Sequence, residues 1–163
     1  EVVVLFRCVM NWNSISEEVL HVLYSEGWSG IGSACNVLKE RVNHYQWVGI
    51  YWMNEAEQML YLGPFSGAET EHTRIPYGRG ICGQVAVSGE SFEVPDVWAQ
   101  DNYLACSMET KSELVVPIFH GTRLIGQIDI DSHFLNPFGS EDHRLLESIA
   151  HAIGTMPEAA TIG

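Results

Sequence analysis

The sequence predicts an α+β domain: a central antiparallel sheet, terminal helices packed on one face, and a small ligand pocket on the other. Three observations carry this expectation. Apolar residues recur at helical spacing near both ends of the chain. Between them, β-branched and aromatic runs come in pairs joined by short turns. Within those runs the side chains alternate between an aliphatic face and a face of carboxylates and aromatics. The chain has 163 residues, 46% of them hydrophobic and 18% charged. That length and composition suit one folded domain with a substantial core.

The elements follow in order. The opening "EVVVLFRCVM" has an apolar run far shorter than the ~20 residues of a membrane span. It also lacks the basic start and cleavage site of a signal peptide. Met10 opens "MNWNSISEE" and is the expected natural start. Residues 1–9, with Cys8, would then be an upstream leader and residues 10–163 a single domain. Ser14 and Glu17 form a capping-box pattern ahead of Ile15, Val19, Val22 and Leu23 on one stripe. "GSACNVLKERV" predicts a second helix with Ala34, Cys35 and Leu38 inward, Cys35 as a small core residue. "HYQWVGIYWM" and "EQMLYLGPF" predict a hairpin across "NEAE". The stretch "RIPYGRGICGQVAVSGE", residues 74–90, and the polar residues around Cys106 are read as glycine- and serine-rich loops holding two thiols, Cys82 in a tight "GICG" turn and Cys106. "ELVVPIFH" and "LIGQIDIDS" predict a second hairpin about "GTR". Ser140 is the expected cap of a last helix carrying Leu145, Leu146, Ile149 and Ile153.

The strand period sorts the side chains further. Trp47, Gly49 and Tyr51 share one face of the first strand, and Val48, Ile50 and Trp52 the other. Glu113 points away from the side of Leu114, Val116 and Ile118. Gln127, Asp129 and Asp131 oppose Ile128 and Ile130. If the strands are neighbours, Trp47, Tyr51, Glu113, Asp129 and Asp131 meet on one face. A single acid there would be ordinary solvated sheet surface. Three acids with two aromatics, beside two thiols, mark a pocket.

Composition excludes several function classes. A formal net charge of -13 repels phosphate backbones and anionic lipids, so neither nucleic acid nor membrane is an expected partner. Four cysteines in a chain of this length do not make a secreted disulfide scaffold, and a reducing cytoplasm is the expected setting. No pair of the seven histidines sits at a metal-site spacing with cysteine partners. His143 and His151 are expected on the surface of the last helix. "GRGICG" lacks the lysine and spacing of a phosphate loop.

The pieces "GICG", "AC…SELVVP" and "GQIDIDS", in that order within residues 14–153, resemble the GAF-domain family of free methionine-(R)-sulfoxide reductases. The resemblance implies a GAF fold and reduction of the free amino acid. It implies Trp47, Tyr51, Glu113, Asp129 and Asp131 as the substrate pocket and Cys82 and Cys106 as the redox cysteines. One departure bears on recycling. Family members typically carry a third cysteine two residues before the arginine of "RIP", and here His72 stands there, read as an exposed loop residue.

The implied chemistry uses these groups. A thiolate attacks the sulfoxide sulfur while a carboxylic acid, its pKa raised by crowded neighbours, protonates the oxygen. The remaining negative charge holds the substrate ammonium, and Trp47 and Tyr51 cradle its apolar part. The sulfenic acid left on the enzyme is converted by a second thiol to a disulfide, which thioredoxin or a similar dithiol reduces. No flavin or metal is needed. Cys106, which leads directly to Glu113, is the expected nucleophile and Cys82 the resolving thiol; the reverse assignment remains open. The N-terminal helix is a candidate surface for a homodimer. The alternative is a non-catalytic GAF module that binds a small amino-acid-like ligand or senses redox state through a Cys82–Cys106 bond.

Overall fold

The computed structural model describes residues 10–104 and 107–163. The expected leader, residues 1–9, and Cys106 therefore lie outside the described residues. Helix α1 (Trp12–Glu26) begins at Asn11, whose side chain accepts the Ser14 N–H at 3.1 Å. Ser14 therefore sits inside the first turn and is not the cap. Ile15, Val19 and Leu23, one turn apart, are the buried stripe. Helix α2 (Ile31–Arg41) buries Ile31, Ala34, Cys35 and Leu38.

Strands β1 (Trp47–Asn54) and β2 (Met59–Ser66) form the first hairpin. Strand β3 (Arg74–Pro76), helix α3 (Gly80–Ser88) and strand β4 (Phe92–Val94) occupy a stretch expected to be loop. Helix α3 carries no amphipathic signal because it is covered on most sides. Gly80, Ile81, Cys82, Gly83, Val85 and Ala86 are all buried. A Cβ on Gly83 would meet the Pro76 carbonyl oxygen at 2.6 Å, so the helix packs against β3 only with glycine there. Strands β5 (Ser112–His120) and β6 (Arg123–Ser132) form the second hairpin, and helix α4 (Ser140–Gly154) follows.

The six strands form one antiparallel sheet in the order β3-β2-β1-β6-β5-β4. Its rear face packs against α1, α2 and α4 in a core that includes Val48, Ile50, Leu114, Val116, Ile128 and Ile130. Its front face is covered by α3 and the loops around it. The cap of α4 differs from the expectation. Gly139 is the N-cap and Ser140 the first helical residue; Asp142 reaches back to accept the Gly139 N–H at 2.8 Å. Asp142 also accepts from the Tyr45 hydroxyl at 2.8 Å and pairs with His44 Nε2 at 2.6 Å. This buried carboxylate ties the end of the α2–β1 connection to α4. Among the described residues, no helix is long and apolar enough to cross a membrane.

Candidate active site

The sheet register brings the five expected pocket residues onto one face. Trp47 pairs with Asp131 across β1 and β6, and Gly49 with Asp129. Glu113 on β5 pairs with the same Asp131 from the other side. The three acids therefore converge from two adjacent central strands. None is solvated: Glu113 and Asp131 are 3% exposed and Asp129 1%. The solvated-face alternative fails because α3 closes the front of the sheet.

Trp47 is seated by glycine on both sides. A Cβ on Gly49 would collide with the Trp47 six-membered ring, and one on Gly67 would lie 2.5 Å from its Cδ1. Gly67 also has φ +142, a backbone state that L side chains rarely adopt. The Trp47 indole N–H donates to the Ala68 carbonyl at 3.0 Å, and its ring stacks on Phe65 at 5.6 Å. Tyr51 lies 6.3 Å from Trp47, ring centre to ring centre, and its hydroxyl donates to the His72 carbonyl at 2.7 Å. His72 is half-buried, not exposed, and its backbone fastens the loop to the sheet.

Cys82 is on helix α3, not in a turn, and is 5% exposed. Its Sγ lies 3.7 Å from Glu113 Oε1. The explanation that both thiols occupy loops therefore fails for Cys82: the helix carries this thiol onto the acids. Cys106 lies outside the described residues. Leu104, the last described residue before it, lines a cavity of about 10 Å³ with Cys82 and Glu113. Ser107 lines a second cavity, of about 90 Å³, with Gln46, Trp47, Thr70, Asp131 and His133. A surface groove of about 600 Å³ lies between Phe119 and α4 and touches none of Glu113, Asp129 and Asp131.

The electrostatics divide the acids. Burial, then the charges of Asp129 and Asp131, pushes the Glu113 carboxyl well above the usual range. Burial and the Asp129 charge do the same to Asp131. Burial raises Asp129 only to about 6, because hydrogen bonds from Cys82 and Glu113 favour its ionised form. Of the three acids, Glu113 and Asp131 are thus pushed upward by burial and a neighbouring charge together, and Asp129 is the one whose ionised form is supported by hydrogen bonds. Groups inclined to hold a proton and one inclined to ionise stand side by side in a dry site. Cys35 is different: burial drives its thiol up to about 12, as fits an inert core residue.

Two residues at the site escaped the sequence reading. Gln46 Oε1 accepts from the His133 N–H at 2.7 Å and the Ser132 hydroxyl at 3.3 Å, clamping the end of β6 beside Asp131. It precedes β1, so strand alternation says nothing of it. Gln127, buried beside Tyr51, lies on the acid face. The strand period placed it there, but its neutral side chain drew no assignment. His143, expected at the surface, is partly buried and pairs with Glu93 at 2.5 Å.

Comparison with known proteins agrees with this arrangement. Residues 34–156 match the GAF domain family. The free methionine-R-sulfoxide reductase of Escherichia coli is 34% identical over 113 residues, covering 69% of this chain and 67% of that protein. That of Saccharomyces cerevisiae is 39% identical over 109 residues, covering 66% of this chain and 60% of the yeast protein. The Neisseria meningitidis enzyme, solved in complex with its substrate, superposes with a TM-score of 0.85 at 35% identity, covering 92% of this chain and 90% of that one. The shared fold, the sequence identity and the extent of both matches lead to one conclusion: the chain belongs to the GAF-domain family of free methionine-R-sulfoxide reductases.

Proposed function

We propose that the protein reduces free L-methionine-(R)-sulfoxide to methionine at the Glu113–Asp129–Asp131 cluster, using Cys106 as nucleophile and Cys82 as resolving thiol. The observation that carries the reading is the buried contact of Cys82 with Glu113 within a cluster of three acids. A thiol beside buried carboxyls of raised proton affinity is suited to sulfoxide reduction and ill suited to plain ligand storage.

In the first step the Cys106 sulfur attacks the sulfoxide sulfur. Glu113 or Asp131 protonates the sulfoxide oxygen, the S–O bond breaks and the oxygen leaves as water, giving a transient S–S sulfonium; water then adds to the Cys106 sulfur, breaking the S–S bond and releasing methionine and a proton. In net terms, thiol and sulfoxide become sulfenic acid and methionine. Ionised Asp129 attracts the substrate ammonium, and Trp47 with Tyr51 receives the apolar part. In the second step the Cys82 sulfur displaces hydroxide from the Cys106 sulfenic acid, giving a disulfide and water. A dithiol such as thioredoxin then exchanges into that disulfide and regenerates both thiols. Cys82 takes the resolving role here because His72 replaces the usual third cysteine. Cys106 is assigned as nucleophile because the sequence leads directly from it to Glu113. Methionine formation from the free R epimer, driven by dithiothreitol, tests the proposal.

A further inference from the structure

The thiol and acids also have the makings of a cation site. Cys82 Sγ, a carboxylate oxygen of Glu113 and one of Asp129 lie within 4.8 Å of one another, all from buried residues. The Sγ–Oε1 distance is 3.7 Å. A tetrahedral ion with thiolate at ~2.3 Å and carboxylate oxygen at ~2.0 Å holds those two donors roughly 3.5 Å apart. The Cys82–Glu113 pair is thus a few tenths of an ångström from that spacing, with an Asp129 oxygen within 4.8 Å of both. A second observation points the same way. Asp129 Oδ1 and Asp131 Oδ1 are buried and accept no hydrogen bond among the described residues. Buried carboxylate oxygens in that condition favour a cation.

We propose that the reduced protein binds one thiophilic divalent cation, of the zinc and cadmium class, through Cys82, Glu113 and Asp129, and that this ion excludes the sulfoxide. The thiolate selects against magnesium and calcium, which prefer oxygen ligands alone. On binding, the Cys82 thiol and the Glu113 carboxyl give up their protons to solvent as their S–M and O–M bonds form. Nothing is oxidised. The ion occupies the two groups that would resolve the sulfenic acid and protonate the sulfoxide. The binding claim stands apart from the reductase reading; the exclusion claim rests on it.

The test is an anaerobic titration of the reduced full chain with Cd²⁺, read by the ultraviolet thiolate-to-cadmium band and by equilibrium dialysis. One ion per chain is expected. Cys82→Ser should lose the band, and Asp129→Asn and Glu113→Gln should each weaken binding at least tenfold. Cys35→Ala, a core thiol outside the site, should bind as wild type. A band that survives Cys82→Ser, or wild-type affinity in both acid variants, overturns the site. Single-turnover reduction without a chelating dithiol tests exclusion: Zn²⁺ should slow it tenfold or more, with full relief at saturating sulfoxide. Slowing that sulfoxide does not relieve overturns exclusion. Dialysis needs no turnover, so a chain that binds Cd²⁺ but reduces nothing refutes the reductase reading and leaves the metal site standing.

Discussion

Cys82 Sγ lies 3.7 Å from Glu113 Oε1, where helix α3 meets strand β5. Burial and the neighbouring acids raise the proton affinity of Glu113, the direction that a proton donor to the sulfoxide requires. Glu113→Gln retains the shape and loses the acid. Its catalytic efficiency should fall at least tenfold, a transition-state loss of ~1.4 kcal/mol or more. Asp129→Asn and Asp131→Asn should each cost as much, for the ammonium charge and the second donor respectively. Steady-state kinetics of the three variants checks this; wild-type values in all of them would remove the acids from the reaction.

The same burial makes stability depend on pH in a defined direction. Asp129, Glu113 and Asp131 all have folded-state pKa values above their ordinary ones. Below about pH 4 both folded and unfolded chains hold these protons. Above that, the unfolded chain releases them first, so rising pH favours unfolding. For Asp129 the loss runs from 3.8 to about 6, on the order of 3 kcal/mol, and the other two extend it to higher pH. Denaturant unfolding at pH 5 and pH 8 should show the protein more stable at pH 5, with a smaller difference in Asp129→Asn. An equal difference in that variant would contradict the assignment.

Trp47 owes its position to a missing side chain. A Cβ on Gly49 would collide with its ring, and the central strand beneath has little room to yield. Gly49→Ala should raise the KM for sulfoxide at least tenfold while changing kcat less. Overpacking of this kind costs about 1–3 kcal/mol of stability, which thermal unfolding would show. An unchanged KM would mean that Trp47 does not contact the substrate.

The two thiols separate in a single turnover without added reductant. Cys106→Ser should form no methionine. Cys82→Ser should release one equivalent and stall with a sulfenic acid at Cys106, trapped by a dimedone-type reagent. The reverse pattern would exchange the roles, and normal cycling of both variants with dithiothreitol would exclude both.

Much of this arrangement was legible in the strand period. Alternation placed Trp47, Tyr51, Glu113, Asp129 and Asp131 on one face, and the register then made them neighbours. What it could not convey was cover. Helix α3 is short, glycine-bearing and buried on most sides, so it has no apolar stripe to betray it, and Cys82 was read as a turn residue. The edge strands β3 and β4, three residues each, are too short for alternation to register. Both caps were misplaced for a related reason. Asn11 and Asp142 act through side-chain bonds to backbone N–H groups, and several nearby polar residues suit that role equally well in sequence.

The most direct measurement is methionine release from free methionine-(R)-sulfoxide with dithiothreitol, run beside the free S epimer and a peptide-bound sulfoxide. The enclosed cluster predicts turnover of the free R form alone. In the proposed pocket the acids, behind α3, would hold an ammonium that a peptide-bound methionine sulfoxide lacks. Equal turnover of both epimers, or preference for the peptide, would contradict the pocket. Tight binding of the free R form with no turnover would contradict the reductase and establish a ligand-sensing module in its place.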